Sequence, residues 1–172
     1  MYDINNFDIA YYLINEQYGT ATYHDGHNNI SLFEFNDHYI KQIDPDFPNM
    51  ICTKMIFDGQ SLKLKVNGQY LKHGSVAIGL WEYYDEEGHL DHIVNMDEHF
   101  PITWPKLEQI LKDKDISLLS ADSIFRFYDE EKDTATWSIV IKLPMDKGCL
   151  YVFDGRTGEL QKEEIIDMTI EM

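Results

Sequence analysis

The stretch that decides the fold is "GLWEYYDEEGHLDHIVNM", residues 79–96. Three aromatic residues fall within four positions, an acidic turn with a glycine follows, and apolar residues then alternate with polar ones. Alternation with a period of two is typical of a β-strand, and Gly supplies the positive φ of a tight turn. The stretch therefore predicts a β-hairpin whose first strand turns alternate side chains to opposite faces: Leu80 and Tyr84 to one, Trp81 and Tyr83 to the other.

The same alternation recurs on both sides of this hairpin. Upstream, short alternating runs are separated by turn dipeptides such as Asp58-Gly59 and Asn67-Gly68, which predicts an antiparallel meander of six or seven strands over residues 20–96. Downstream, four more runs predict a second antiparallel sheet, at residues 123–128, 135–143, 149–153 and 159–165.

Two segments show helical spacing instead. Residues 5–18 predict an amphipathic helix with Asn5 or Asn6 as cap, Gly19 as stop, and an apolar stripe formed by Phe7, Ala10, Tyr11, Ile14 and Tyr18. Residues 100–115 predict a helix capped by Thr103, with Pro105 in the first turn and a stripe formed by Leu107, Ile110 and Leu111.

These elements predict an α+β fold dominated by antiparallel sheets, with an N-terminal helix and one central helix packed on the second sheet. Both patterns are interrupted near residues 97–101. We therefore expect residues 1–97 to form the helix and meander, and residues 98–172 the helix and four-stranded sheet. One compact domain is the alternative.

The charge balance restricts the choice of partners. The chain carries 31 acidic and 14 basic residues, a net charge of -17. Such a surface repels nucleic-acid phosphates and anionic lipids, so we expect neither to bind, and a basic protein is the attractive partner. The first residues lack the basic start of a signal peptide, and no apolar run has membrane-span length. These features predict a cytoplasmic protein.

Two acidic turns are the candidate binding sites. Tyr84 precedes Asp85, Glu86 and Glu87, and Tyr128 precedes Asp129, Glu130 and Glu131. Paired carboxylates support acid–base chemistry only when burial separates their pKa values, and turns are exposed. The remaining interpretations are solvated turns or contacts with a basic partner.

The sequence predicts no metal, cofactor or catalytic site. His24 and His27 flank a turn, and His89 and His92 are three residues apart on a predicted strand, where they point to opposite faces. Cys52 and Cys149 lie on predicted strands, without CxxC spacing. The motifs of nucleotide-binding loops, zinc proteases and serine hydrolases are missing from the sequence. We therefore expect a protein that is not an enzyme.

Residues 68–97 resemble a MORN-type repeat through Gly79, Trp81, Tyr83, Tyr84, Asp85, Gly88 and Leu90. Repeats of this type are β-hairpins in which glycine lets strands pass closely and aromatic rings stack. A bacterial variant occurs in proteins named as toxin–antitoxin components. The resemblance implies a hairpin here and an antitoxin-like role.

Residues from about 102 to 160 are similar to a PepSY-like domain, a helix followed by a meander that ends in an aromatic-Asp-x-x-Thr-Gly-Glu hairpin. Here that hairpin is Phe153-Asp154-Gly155-Arg156-Thr157-Gly158-Glu159. PepSY domains are proposed to bind or restrain other proteins and are not themselves enzymes, so this resemblance also implies a binding role.

These observations lead to one functional prediction and two alternatives. The prediction is a small acidic, non-catalytic protein-binding module, in its sharpest form an immunity or antitoxin-like protein that neutralises a basic toxin. The first alternative is an assembly module that homo-oligomerises through an edge strand. The second is a module that binds a carbohydrate or other small ligand in a pocket lined by Trp81, Trp104 or Trp137.

Overall fold

A computed structural model describes residues 6–168 of the chain. Its first sheet is antiparallel, and its strand order follows the chain: β1 (Thr20–Asp25), β2 (Asn28–Phe35), β3 (His38–Pro45), β4 (Ile51–Asp58), β5 (Leu64–Leu71), β6 (Val76–Tyr84) and β7 (Leu90–Asn95). Its second antiparallel sheet has the order β11-β10-β9-β8, from β8 (Ala121–Asp129), β9 (Thr134–Leu143), β10 (Lys147–Asp154) and β11 (Leu160–Asp167).

Helices account for little of the described chain. They are α1 (Ile9–Asn15), α2 (Trp104–Asp113) and a short 3₁₀ helix (Leu118–Ser120). The predicted class, α+β and mostly β with two antiparallel sheets, is confirmed. Within residues 6–168, no helix is long and apolar enough to cross a membrane.

The chain divides into two compact units. The first unit contains the residues up to Lys72 together with Gly79–Asn95. The second unit contains His73–Ile78 and the residues from Met96 onward. Neither unit is a continuous stretch of chain.

The core of the first unit lies between α1 and one face of the seven-stranded sheet. Phe7 and Tyr12 are buried there, against sheet residues that include Ala21, Ile30, Leu32, Ile43, Met55 and Phe57. Directly paired residues of neighbouring strands share a face, so Leu32, Lys41 and Met55 form one row across three strands.

The first helix is shorter than predicted, and only part of its predicted apolar stripe packs in the core. Asp8 caps it by accepting a hydrogen bond from Tyr11 N at 2.9 Å, so a cap at Asn6 is wrong, and Asn5 lies outside the described residues. Tyr12 is its buried residue, while Ile14 is 82% exposed and Tyr18 lies beyond the helix. The predicted stripe is right for Phe7 and Tyr11, which pack in the core, and wrong for Ile14 and for Tyr18, since the helix ends at Asn15.

One predicted turn in the first sheet is also wrong. Asn67 and Gly68 lie inside β5, where Gly68 pairs with Lys54. The turn comes later, at residues 72–75, where Gly74 has a φ of 108°. The dipeptide misleads because Gly68 serves a packing role, next to the ring of Trp81.

The core of the second unit lies under α2. Thr103 is the N-cap residue and Pro105 lies in the first turn, as predicted, although the Thr103 side chain makes no capping hydrogen bond. Trp104, Leu107 and Leu111 are buried, and the Trp104 ring lies 6.1 Å from that of Trp137. Trp137 Nε1 donates to the Ile102 carbonyl at 2.9 Å, which satisfies a fully buried indole.

A nearly buried arginine joins several segments of the second unit. The Arg126 guanidinium donates to Asp97 Oδ1 at 2.5 Å, to the Met96 carbonyl at 2.6 Å and to the Ala77 carbonyl. It also lies 4.6 Å from the centre of the Phe100 ring. Its fork of donors satisfies three acceptors from sequence positions far from β8.

Candidate partner-binding surface

The β6–β7 hairpin contains the most exposed strand of the first sheet. β7 forms the end of the strand order, and all six of its residues are exposed. Three of them are large and apolar: Leu90 (51% exposed), Ile93 (49%) and Val94 (37%). Ile93 and Val94 are adjacent, so apolar side chains lie on both faces of this strand.

An edge strand also presents unpaired backbone groups. One side of β7 pairs with β6: Leu80 lies opposite Asn95 and Tyr84 opposite Leu90, with a bulge between Tyr83 and Tyr84. In residues 6–168 no strand follows β7 in the order, so the outer side of residues 90–94 can accept a further strand. Together this backbone and the apolar side chains form a surface that we call the β7 edge: Leu90, Ile93, Val94 and the outer backbone of residues 90–94.

The first predicted acidic turn closes this hairpin. Asp85 Oδ1 accepts a hydrogen bond from His89 N at 2.8 Å. That bond from the His89 backbone holds the pKa of Asp85 below its usual range. Lys63 Nζ donates to the Glu86 carbonyl at 2.8 Å, and Lys65 Nζ to the Asp85 carbonyl at 3.2 Å. Asp85 therefore shapes the turn, and the exposed side chains at its tip are those of Glu86 and Glu87.

Tyr84 supports the hairpin and does not project from it. Its hydroxyl donates to Glu82 Oε2 at 2.9 Å, and the same oxygen accepts from Asn67 Nδ2 at 3.0 Å. Burial, together with the bond to Glu82, raises the pKa of Tyr84. The phenol therefore remains a neutral donor within the sheet.

The second predicted acidic turn lies in the other unit, between β8 and β9. Lys132 Nζ contacts Asp129 Oδ2 at 3.0 Å, and this bond is the main cause of a lowered pKa of Asp129. Asp129 Oδ1 accepts from the backbone N of Glu131 and of Lys132, both at 3.1 Å. Asp129 thus closes its own turn, and Glu130 and Glu131 are the exposed acids.

Tyr128 belongs to a charge-balanced cluster beside that turn. Its hydroxyl donates to Asp133 Oδ1 at 2.7 Å, and Arg156 donates to the same oxygen. The bond to Asp133 raises the pKa of Tyr128, while Tyr128 and Arg156 lower the pKa of Asp133. The ring of His99 stacks on Tyr128 at 3.9 Å. Arg156 and Lys132 therefore offset the negative charges of Asp133 and Asp129 beside this turn.

The eight predicted site residues are divided between the two units. Tyr84, Asp85, Glu86 and Glu87 belong to the first unit, and their counterparts at positions 128–131 to the second. The sequence analysis missed the β7 edge. The adjacent pair Ile93-Val94 was the available signal, since a half-buried strand alternates and does not place apolar residues side by side.

Several of the cysteine, tryptophan and histidine side chains considered in the sequence analysis are buried or stacked on other residues. Burial raises the pKa of the Cys52 thiol to about 12, and Cys149 is also buried. Trp104 and Trp137 are buried in the core of the second unit, where their rings lie 6.1 Å apart. His92 stacks on Tyr83 at 4.6 Å. Residues 6–168 contain no group of three His, Cys, Asp or Glu side chains suited to a metal ion.

Comparison with known proteins leaves the family open. No protein-family model matches the chain, and neither a curated protein nor a solved structure matches it. The MORN-type and PepSY-like resemblances therefore stay predictions.

Proposed function

We propose that the chain is a non-catalytic module that binds a basic protein through the β7 edge and the acidic turn beside it. The observation that carries this proposal is the exposure of β7, a whole edge strand with three large apolar side chains next to Glu86 and Glu87. Exposed apolar strands of this kind are usually protected or used for pairing.

The two parts of the surface would act at different stages of binding. The net charge of -17 and the exposed glutamates of the turn would speed the encounter with a cationic surface. A strand of the partner would then pair with the outer side of β7, since strand addition satisfies backbone groups on both sides. Ile93 and Val94, on opposite faces, would contact side chains above and below the added strand.

The sharpest form of the proposal is an immunity or antitoxin-like role toward a basic toxin. The excess of 31 acidic over 14 basic residues supports it, because enzymes that act on nucleic acid carry cationic surfaces. The exposed glutamates would occupy such a surface in place of the polyanionic substrate.

Homo-oligomerisation through β7 is the second candidate. The same exposed edge favours it, because two copies of an edge strand pair as readily as two different strands. Like net charge on both copies opposes it at low ionic strength, so this candidate predicts association that strengthens as salt increases.

A pull-down from the native source with matched variants tests the proposal. We expect the wild-type protein to capture a basic partner, and Glu86→Gln with Glu87→Gln to weaken that capture. Glu159→Gln with Glu163→Gln removes the same charge from exposed sites in the other unit and should leave capture intact. If both variants lost capture of the partner equally, the effect would come from net charge alone, and a local site at Glu86 and Glu87 would be contradicted.

Light scattering separates the second candidate. Val94→Lys places a charge on the β7 edge, where it should abolish self-association if copies pair there. A wild-type protein that stays monomeric at high salt rules this candidate out.

A further inference from the structure

The face of the first sheet opposite α1 contains a groove of about 420 Å³. Its floor is formed by Ile40, Ile56 and Val66, with Phe35 at one side and Lys54 and Lys65 at the rim. This volume falls in the range of small-molecule sites, roughly 300–1,000 Å³. The groove lies on β2–β5, and the inference below does not depend on the proposed function.

Strand register explains the apolar floor. Ile40 pairs with Ile56, and Ile56 pairs with Val66, so three β-branched side chains form one row across β3, β4 and β5. Lys54 lies two residues before Ile56 and therefore shares its face. The register shifts between Ile56 and Phe57, which makes Lys65 the extra residue of a bulge and brings it beside Val66 at the groove.

Phe35 is an exposed aromatic at the end of β2. It is 61% exposed and pairs with His38 across a two-residue turn. The turn residues Asn36 and Asp37 have φ values of 48° and 60°, the left-handed geometry of a tight hairpin. The tight turn therefore places the Phe35 ring at the side of the groove, where a ligand can pack on it.

The charge of the groove is opposite to that of the whole chain. Acidic residues outnumber basic ones by 31 to 14, yet the fully charged side chains that line this groove are the two lysines. Lys65 Nζ contacts the Asp85 carbonyl, an acceptor that does not neutralise it. Hydrogen bonds from Ser61 are the main cause of a lowered pKa of Asp58, and the Lys65 charge contributes less to this lowering. The Asp58 carboxylate accepts hydrogen bonds from the N–H groups of Gln60 and Ser61.

We propose that this groove binds a fatty-acid-type carboxylate. The alkyl chain would lie on Ile40, Ile56 and Val66 against Phe35, where its apolar surface leaves water. The carboxylate would pair with Lys54 and Lys65. A cationic amphiphile of the same length would meet like charge at the rim, and this difference identifies the ligand class.

Calorimetric titration with three twelve-carbon probes tests the proposal: dodecanoate, dodecyltrimethylammonium and dodecyl maltoside, each below its micelle concentration. We expect dodecanoate to saturate one site and to bind most tightly. Lys54→Gln with Lys65→Gln should weaken dodecanoate about tenfold and leave dodecyl maltoside unchanged. Lys142→Gln with Lys147→Gln, exposed sites in the other unit, is the matched control.

Amide chemical shifts and a peptide probe complete the test. Dodecanoate should perturb β3, β4 and β5 around the groove floor, and Phe35→Ser should reduce its affinity while the spectrum stays that of the folded protein. Equal affinity for the anionic and cationic probes would overturn the proposal. Tighter binding of an acidic apolar peptide than of dodecanoate would also overturn it, since the groove would then serve a protein partner.

Discussion

The indole ring of Trp81 lies against the backbone of Gly68 on the neighbouring strand. A Cβ at position 68 would lie closer to the ring carbons than van der Waals contact allows, and Trp81 Nε1 donates to the Gln69 carbonyl at 2.9 Å. The ring is therefore fixed flat on β5. Gly68 is needed here for the close approach and not for a turn.

Gly68→Ala should force Trp81 out of this position. We expect the free energy of unfolding to fall by about 2 kcal/mol, the usual cost of overpacking. In a Trp81→Ala background the same change should cost much less, because the clashing ring is gone. Urea denaturation of the two single variants and the double variant measures the coupling. Additive losses would show that ring and glycine do not interact.

Replacing Arg126 should strongly destabilise the second unit. Arg126→Lys retains the charge but cannot reach Asp97 and the carbonyls of Met96 and Ala77 at once, so we expect a loss of about 3 kcal/mol. Asp97→Asn is the milder comparison, since an amide oxygen still accepts a hydrogen bond. Denaturant titration followed by Trp fluorescence reports the change through Trp137, whose ring lies 5.4 Å from the guanidinium. An Arg126→Lys protein with wild-type stability would contradict this role.

The stability of the fold should decrease in acid, partly through Asp154. Backbone N–H groups of Thr157 and Arg156 donate to Asp154 Oδ1, each at 2.8 Å, and hold the pKa of Asp154 below its usual range. A carboxyl with a lowered folded-state pKa stabilises the fold above its unfolded pKa, and this contribution disappears as pH falls through the folded value. The loss should therefore occur below about pH 4.

Asp154→Asn provides the check on this pH dependence. The variant should be less stable than the wild type at neutral pH, and the difference should shrink in acid, where the wild-type carboxyl is also neutral. Urea midpoints across the acid range measure both curves. Parallel curves would assign the acid sensitivity to other carboxyls, such as Asp85 and Asp129, whose pKa values are also lowered.

The Cys52 thiol should be inert in the folded protein. It is fully buried, and burial raises its pKa to about 12, so the reactive thiolate is scarce at neutral pH. We expect iodoacetamide at about pH 8 to leave Cys52 unmodified until denaturant unfolds the first unit. Peptide mass spectrometry locates the label, and unfolded protein supplies the positive control. Rapid labelling of Cys52 in the native state would refute this expectation.

Local patterns predicted the architecture well and the individual contacts poorly. Alternation and turn residues identified both sheets, because strand periodicity and positive φ are properties of short segments. The α1 stripe was right for Phe7 and Tyr11 and wrong at its C-terminal end, because spacing does not show where a short helix ends. Asn67-Gly68 was wrong because the reason for the glycine is Trp81, thirteen positions further on.

In the candidate site, too, local features were predictable from the sequence and specific contacts were not. The positions of the acidic turns followed from their own residues. Asp85 and Asp129 accept hydrogen bonds from donors within four residues, which the sequence did not reveal, while the bond from Arg156 to Asp133 joins residues far apart in the chain. The groove lysines and Arg126 were invisible for the same reason, since register and burial bring them to their neighbours.

The path of the chain between the units decides how the protein can be dissected. The chain leaves the first unit after Lys72, returns at Gly79 and leaves again after Asn95. A single cut near residue 97 therefore separates His73–Ile78 from the rest of its unit and cannot release two complete folding units. Expressing the second unit alone calls for a circular permutation or a graft that restores this hexapeptide, and deletion series that ignore it would report on damaged fragments.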